Sequence, residues 1–141
     1  MPHLVILYSG QLEQDFNVSR LCRKLADTML TIRAEDGAQV FPTGGTRVLA
    51  YPAAHYAVAN GPPGATPAND YGFIYLNLRM GQGRSEAVKT QIGESLCAIT
   101  REQLEPLLGK RSVGITFQID EGDQVFDAKI GNLHAVFNKP S

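Results

Sequence analysis

Residues 2–8 read Pro-His-Leu-Val-Ile-Leu-Tyr, and this stretch decides how the rest of the chain is interpreted. From His3 to Tyr8 the run is β-favouring and lacks the alternation of apolar and polar residues that marks a half-exposed strand. Such a run is typical of a strand buried on both faces. Pro2 fits directly before it, because the first position of a strand tolerates proline.

The residues that follow predict a loop, a helix and a second strand. Ser9 to Asp15 is the loop, and Asn17 is a capping residue for a helix that ends near Asp36-Gly37. Turn residues at Phe41-Pro42-Thr43-Gly44-Gly45 then lead into a strand at Thr46–Tyr51. Apolar side chains recur along the helix at helical spacing: Val18, Leu21, Cys22, Leu25, Met29 and Ile32.

The second half repeats this order. Tyr71–Met80 predicts a strand, Gly81-Gln82-Gly83 a turn, and Ser85 the cap of a second helix, with a further strand at Ser112–Ile119. Pro106 predicts a break or a bent last turn of that helix. The inner stripe of the helix is apolar: Val88, Ile92, Leu96 and Ile99, with Leu104, Leu107 and Leu108 near its end.

Two segments lie outside the repeated pattern. Asn60–Asp70 is rich in proline, glycine and small residues, which favours a long surface loop, and a domain linker is the alternative. After the fourth strand, Asp120–Asp127 predicts a polar connection and Leu133–Phe137 a short terminal strand.

The pattern predicts an α+β fold, in which two βαβ repeats form one mixed four-stranded sheet with two helices on one face. The length of 141 residues fits a single domain spanning residues 1–141. The first and third strands are strongly apolar, and no remaining segment is long enough to cover the second face of the sheet. Copies of the same chain would cover it, so we expect a homo-oligomer.

Composition narrows the function. The net charge is −1, with basic residues scattered along the chain, which gives no footprint for nucleic acid or an anionic membrane surface. No segment approaches a membrane span, and no secretion signal is recognisable, so we expect a cytoplasmic protein. Cys22 and Cys97 form no metal-binding spacing with the three histidines and predict two reduced, buried thiols. Gly81-Gln82-Gly83 lacks the third glycine of a dinucleotide-binding motif, and no cofactor is expected.

Three segments together resemble the tautomerase superfamily, and within it the 5-carboxymethyl-2-hydroxymuconate delta-isomerases. They are the opening Pro2-His3, the segment Gly81-Gln82-Gly83-Arg84-Ser85, and the ending Asn132-Leu133-His134-Ala135-Val136-Phe137. Arg47 in the second strand, after the Phe41-Pro42 turn, and the run Ile115–Glu121 complete the likeness, which covers nearly the whole chain.

The resemblance implies a cofactor-free homotrimer that isomerises a dienol dicarboxylate or tricarboxylate from aromatic catabolism. Pro2 would be the acid and base once Met1 is removed, with Arg47 and Arg84 as the catalytic arginines. Further residues are candidates for lining the substrate pocket: His3, Phe41 and Phe117. His134 is expected to make a hydrogen bond near the subunit interface.

The chemistry of these residues agrees with that implication. Isomerising an enol requires one group that accepts a proton and returns it, with a pKa near the working pH. Arg84, at a helix start, favours an anion, and Arg47 in a strand points either to an exposed edge or into a polar pocket. Two alternatives remain open: a hydratase or decarboxylase that uses a carboxylate such as Glu13 or Asp15, and a non-catalytic ligand-binding trimer.

Overall fold

The computed structural model describes residues 2–62, 66 and 69–138. Short 3-10 turns occur at Gly10–Leu12 and Thr43–Gly45. The helices and strands, in chain order, are β1 (His3–Ser9), α1 (Val18–Thr31), β2 (Arg47–Ala53), β3 (Gly72–Met80), α2 (Glu86–Leu108), β4 (Val113–Glu121) and α3 (Leu133–Phe137).

The sheet confirms the predicted duplication. Its strand order is β2-β1-β3-β4, with β1 parallel to β2, β3 parallel to β4, and β1 antiparallel to β3. Each helix therefore connects two parallel neighbouring strands, which is the βαβ arrangement. The predicted α+β class and mixed four-stranded sheet are confirmed. The single-domain assignment to residues 1–141 stays a prediction.

Helices α1 and α2 cover one face of the sheet, as predicted. Asn17 caps α1 by accepting from the amide of Arg20 at 2.9 Å, and Ser85 caps α2 by accepting from the amide of Val88 at 3.2 Å. The largest buried side chains in the sheet and the helices pack into one core: Leu4, Ile6, Ile74, Leu76 and Leu78 against Leu21, Leu25, Met29, Ile92 and Leu96.

The end of one helix and a predicted break in the other differ from the prediction. Helix α1 ends at Thr31 rather than near Asp36-Gly37, because the chain turns back at Gly37, with φ of 85°, and Arg33 bridges to Gln39. Helix α2 continues through Pro106 to Leu108 without a break. Pro106 lies in its last turn, and only one backbone hydrogen bond is lost to the ring.

The predicted terminal strand Leu133–Phe137 is wrong, because these residues form helix α3. The apolar residues of this segment favoured a strand, but packing decides otherwise. His134 and Phe137, three residues apart, both contact the backbone at Gly44. Only a helical turn brings side chains at that spacing to the same side.

The segment between β2 and β3 is tied to the fold at its end. The Tyr56 hydroxyl donates to Asp70 Oδ1 at 3.0 Å, and Arg111 Nη1 lies 3.6 Å from Asp70 Oδ2. Arg111 also pairs with Asp15. Of the predicted loop Asn60–Asp70, residues 63–65 and 67–68 lie outside the described residues.

The second face of the sheet, which we call the open face, has no helix over it in the described residues. It presents the alternate side chains of the four strands, beginning with His3, Val5 and Leu7 of β1. Leu7, Leu49 and Tyr51 are 46%, 47% and 50% exposed. The face is apolar at one end only, because Arg47, His3, Arg79 and Asp120 form a polar row at the other end. The strands were predicted to be apolar on both faces. On the open face this prediction is confirmed for only one half.

Candidate active site

Pro2 is buried at the end of the sheet where the polar row lies. His3, its neighbour, pairs with Arg47 on one side and Arg79 on the other. Continued by one residue, this register places Pro2 between Thr46 and Met80. Met1 lies outside the described residues.

Arg84 is held at the same end of the sheet by two contacts. Its Nη1 donates to the carbonyl of Gly81 at 2.8 Å, and Gly81 directly follows the strand residue opposite Pro2. Its guanidinium lies over the ring of Phe41, 5.3 Å from the ring centre. Arg84 Nε is buried and has no hydrogen-bond partner among the described residues. The arginine is therefore oriented by the protein and retains hydrogen-bonding capacity.

Arg47 lies on the open face beside His3, and both line a pocket of about 570 Å³. Burial, together with the positive charge of Arg47, lowers the pKa of His3, while Asp127 acts in the opposite sense. His3 is thereby favoured in its neutral form near neutral pH. Arg47 thus lies on the edge strand β2 and also lines a polar pocket, so both sequence-based alternatives describe its position.

The other wall of this pocket comes from residues 124–134, after β4. Lys129 pairs there with Asp127, and Asn132 and His134 line the same cavity. The sequence had indicated Asp120–Asp127 only as a polar connection. The Asn132–Phe137 motif, which carries part of the family resemblance, could have indicated that this segment belongs to the site.

The two aromatic candidates have different positions. Phe41 is fully buried and supports Arg84 from below, so within one protomer its ring offers no exposed surface to a substrate. Phe117 lies on the helix-covered side of β4, in a separate depression that it shares with Cys97 and Thr100. The structure does not bring Phe117 together with Pro2 within one chain.

Two carboxylates proposed for the hydratase alternative lie elsewhere. Glu13 accepts from the hydroxyl of Tyr8 near the far end of β1, and Asp15 pairs with Arg111. Neither lines the pocket at His3 and Arg47. The placement of Glu13 or Asp15 beside Pro2 is therefore wrong. Burial and the bond from Tyr8 to Glu13 raise the pKa of the tyrosine, which suits a structural pair.

Arg79 was missed by the sequence interpretation. It pairs in register with His3 and with Asp120, so it belongs to the polar row beside Pro2. The sequence of β3 contains a sign of this role, because the residues that point to the open face near its C-terminal end, Asn77 and Arg79, are polar rather than apolar. Asn77 Nδ2 donates to Asp120 Oδ2 at 2.8 Å across the same face.

Known proteins match this chain over nearly its whole length. The family model described as 5-carboxymethyl-2-hydroxymuconate isomerase matches residues 2–137. The chain belongs to the 5-carboxymethyl-2-hydroxymuconate isomerase family. A curated Escherichia coli relative, 5-carboxymethyl-2-hydroxymuconate Delta-isomerase, is 26% identical over 137 residues, covering 97% of this chain and 99% of the relative.

Two crystal structures resemble this isomerase closely. A 5-carboxymethyl-2-hydroxymuconate delta-isomerase is 60% identical with a TM-score of 0.93, covering 100% of this chain and 95% of that chain. A 5-carboxymethyl-2-hydroxymuconate isomerase from Deinococcus radiodurans R1 is 30% identical with a TM-score of 0.79, covering 98% and 95%. The resemblance to the 5-carboxymethyl-2-hydroxymuconate delta-isomerases is confirmed, and the chain is an isomerase that acts on a C=C bond.

The described part of the isomerase shows neither a membrane-spanning helix nor a cluster of metal-binding side chains. None of its helices there is long and apolar enough to cross a membrane. The same residues place no group of three or more His, Cys, Asp or Glu side chains so that they could hold a metal ion. Cys22 and Cys97 are free thiols, half-buried rather than fully buried as expected, and burial raises the pKa of Cys22.

Proposed function

We propose that this isomerase converts 5-carboxymethyl-2-hydroxymuconate to its 2-oxo isomer, with the amine of Pro2 as acid and base. The observation that carries the proposal is the family match over residues 2–137, which begins at Pro2. Pro2 takes the proton of the enolic hydroxyl and returns it to carbon. No redox change occurs, because a C=C bond moves while a C=O bond forms.

The surroundings of Pro2 favour a usable base. An ordinary α-amino group has a pKa of about 7.7 to 8.0, and a secondary prolyl amine is more basic. Burial of Pro2 and the nearby positive charges of Arg47 and Arg84 disfavour the protonated amine. Both effects favour the neutral amine, which is the form that can accept the enolic proton and return it.

The two arginines bind the anionic substrate. Arg84 is fixed on Phe41 and on the Gly81 carbonyl, and its unpartnered Nε can contribute a hydrogen bond to a carboxylate. Arg47 faces the pocket of about 570 Å³, a volume within the range of small-molecule sites. Both positive charges stabilise the dienolate that forms when the hydroxyl proton leaves. Of the candidate pocket residues, His3 keeps this role in the proposal, Phe41 supports Arg84, and Phe117 is left out because it lies on the helix-covered side of β4.

We also propose that the isomerase works as a homotrimer in the cytoplasm. The exposed apolar half of the open face, including Leu7, Leu49 and Tyr51, supports self-association. Val125, Phe126 and Ile130 in the segment beside the pocket are almost fully exposed and supply further apolar surface. A neighbouring subunit that covers the open face would also close the polar row beside Pro2.

The other two hypotheses lose their basis. A non-catalytic ligand-binding trimer disagrees with membership in an isomerase family. The hydratase or decarboxylase needed a carboxylate free to activate water beside Pro2. Asp127, which lines the pocket, is paired with Lys129, and Asp120 in the polar row accepts a hydrogen bond from Asn77 Nδ2.

The proposal predicts that Pro2→Ala lowers kcat for the dienol about 10² to 10⁴-fold, the usual contribution of a general acid-base group. Turnover is followed by the loss of ultraviolet absorbance of the conjugated dienol. Intact-mass measurement of the wild-type protein must first show that Met1 is removed, so that the prolyl amine is free.

Pro52→Ala is the matched control, because Pro52 is an exposed proline on the edge strand β2. It should turn over the dienol like the wild type. Turnover by Pro2→Ala equal to that of Pro52→Ala would reject Pro2 as the proton carrier. Retention of Met1 in a fully active protein would reject it as well.

A further inference from the structure

His134 carries a buried polar atom that the mechanism above does not use. Its Nε2 is buried and has no hydrogen-bond partner among the described residues. The side chain lines the pocket that also holds Arg47 and His3. A buried imidazole nitrogen without a partner is unfavourable, so native proteins pair such atoms with protein groups, water or ligands.

Helix α3 fixes the position of this imidazole. A Cβ placed on Gly44 would lie 3.1 Å from His134 Nδ1 and 3.2 Å from Phe137 Cδ2, so the ring edge with Nδ1 packs against the Thr43–Gly45 turn. That turn leads directly into β2, which carries Arg47. His134 and Arg47 are thus positioned by one packed unit and face the same cavity.

The charges in the pocket leave room for an anion. Lys129 is paired with Asp127, whereas no carboxylate lies within ion-pair distance of Arg47 in the described parts of the chain. The substrate named for the family carries three carboxylates, two at the ends of the muconate chain and one on the carboxymethyl branch. In the proposed function Arg47 binds one of them and Arg84, which lines a neighbouring depression with Gln82 and Val88, binds a second, so the third carboxylate is left for a further donor.

We propose that His134 donates an Nε2–H hydrogen bond to the carboxylate of the carboxymethyl branch and makes the isomerase prefer the branched substrate. The inference rests on the proposed function and assigns the residue that selects the substrate. His134 is a binding residue in this arrangement, and Pro2 performs the proton transfer. The selected ligand chemistry is an unsaturated 2-hydroxy acid with a third carboxylate on a side branch.

The test compares two substrates, 5-carboxymethyl-2-hydroxymuconate and unbranched 2-hydroxymuconate. His134→Phe keeps a ring of similar size but removes the donor, and we expect the ratio of their kcat/KM values to fall about tenfold, mainly through a higher KM for the branched substrate. His134→Gln places an amide donor near the position of Nε2 and should restore most of the preference. Thermal unfolding of both variants monitors the packing of α3.

His55→Phe is the matched control, because His55 is exposed on the connection after β2 and should leave the ratio unchanged. An unchanged ratio in His134→Phe would overturn the inference while the proposed function stands. Equal losses for both substrates, not rescued by His134→Gln, would overturn it too, since they indicate a structural role. Wild-type protein that turns over neither substrate would refute the proposed function and this inference together.

Discussion

At the scale of single residues, the contact between Arg84 and Phe41 predicts that a substitution at Phe41 lowers catalytic activity as well as stability. The ring of Phe41 is fully buried and lies 5.3 Å below the guanidinium, so it orients the arginine without reaching the pocket itself. Phe41→Leu removes the cation–π contact and part of the ring volume. We expect about 1 kcal/mol less stability and a several-fold lower kcat/KM, measured by denaturant unfolding and by dienol turnover.

Phe16→Leu provides the comparison for this change. Phe16 packs edge-on against Tyr8 with ring centres 5.5 Å apart, near the far end of β1. Its loss should lower stability by a similar amount and leave kcat/KM unaltered. If both variants retain full activity, the Phe41 ring does not position Arg84.

Single residues also show how far the site was predictable. Pro2, Arg47 and Arg84 stand in recognisable sequence contexts, and the structure brings all three to one end of the sheet. Phe117 was a candidate for lining the substrate pocket, but strand alternation turns it toward the helices. Arg79 was overlooked because it becomes a neighbour of His3 only through pairing between distant strands.

At the scale of elements, helix α3 packs so closely on Gly44 that this position should not tolerate a larger side chain. A Cβ there would lie 3.1 to 3.3 Å from His134 and Phe137, closer than ordinary contacts. Gly44→Ala should therefore push α3 away from the turn before β2, at a cost of about 1 to 3 kcal/mol. Faster amide hydrogen exchange in 133–137 and a higher KM for the dienol would report this displacement.

Gly93→Ala tests the same substitution where space is available. Its added Cβ would lie 3.7 Å from Ile119 Cδ1, an ordinary contact, inside helix α2. Alanine is favoured over glycine within a helix, so this variant should be more stable by roughly 0.5 to 1 kcal/mol. Equal exchange in α3 for Gly44→Ala and wild type would contradict the proposed packing.

The elements predicted best are those whose local pattern and tertiary packing agree. The caps at Asn17 and Ser85 and the apolar stripes placed α1 and α2, while the long apolar runs placed β1 and β3. The end of α1 depends on the local turn at Gly37. The conformation of α3 depends on a contact with Gly44, which is distant in the sequence. A five-residue helix has little intrinsic stability, so its docking on Gly44 decides its conformation, and the short apolar run of residues 133–137 cannot reveal that docking.

At the scale of the whole molecule, the open face combines two functions in the proposed trimer. Its apolar half supplies association surface, and its polar row borders the pocket at Arg47 and His3. Because both halves belong to the same strands, covering the apolar half with a neighbour also excludes water from the end where Pro2 lies. Assembly and activity should therefore be coupled.

Leu49→Asp tests this coupling, because Leu49 is 47% exposed on the open face and lies two residues from Arg47 in β2. Burying an unpaired carboxylate between subunits is unfavourable by several kcal/mol, so the variant should sediment as a monomer and lose most of its dienol turnover. Leu108→Asp is matched in chemistry and exposure, since Leu108 is also 47% exposed but lies at the end of α2, on the helix-covered side. It should remain a trimer with normal turnover in analytical ultracentrifugation and kinetics.

A Leu49→Asp protein that stays trimeric would show that the open face is not part of the subunit interface. A Leu49→Asp monomer with full turnover would show that catalysis does not require assembly.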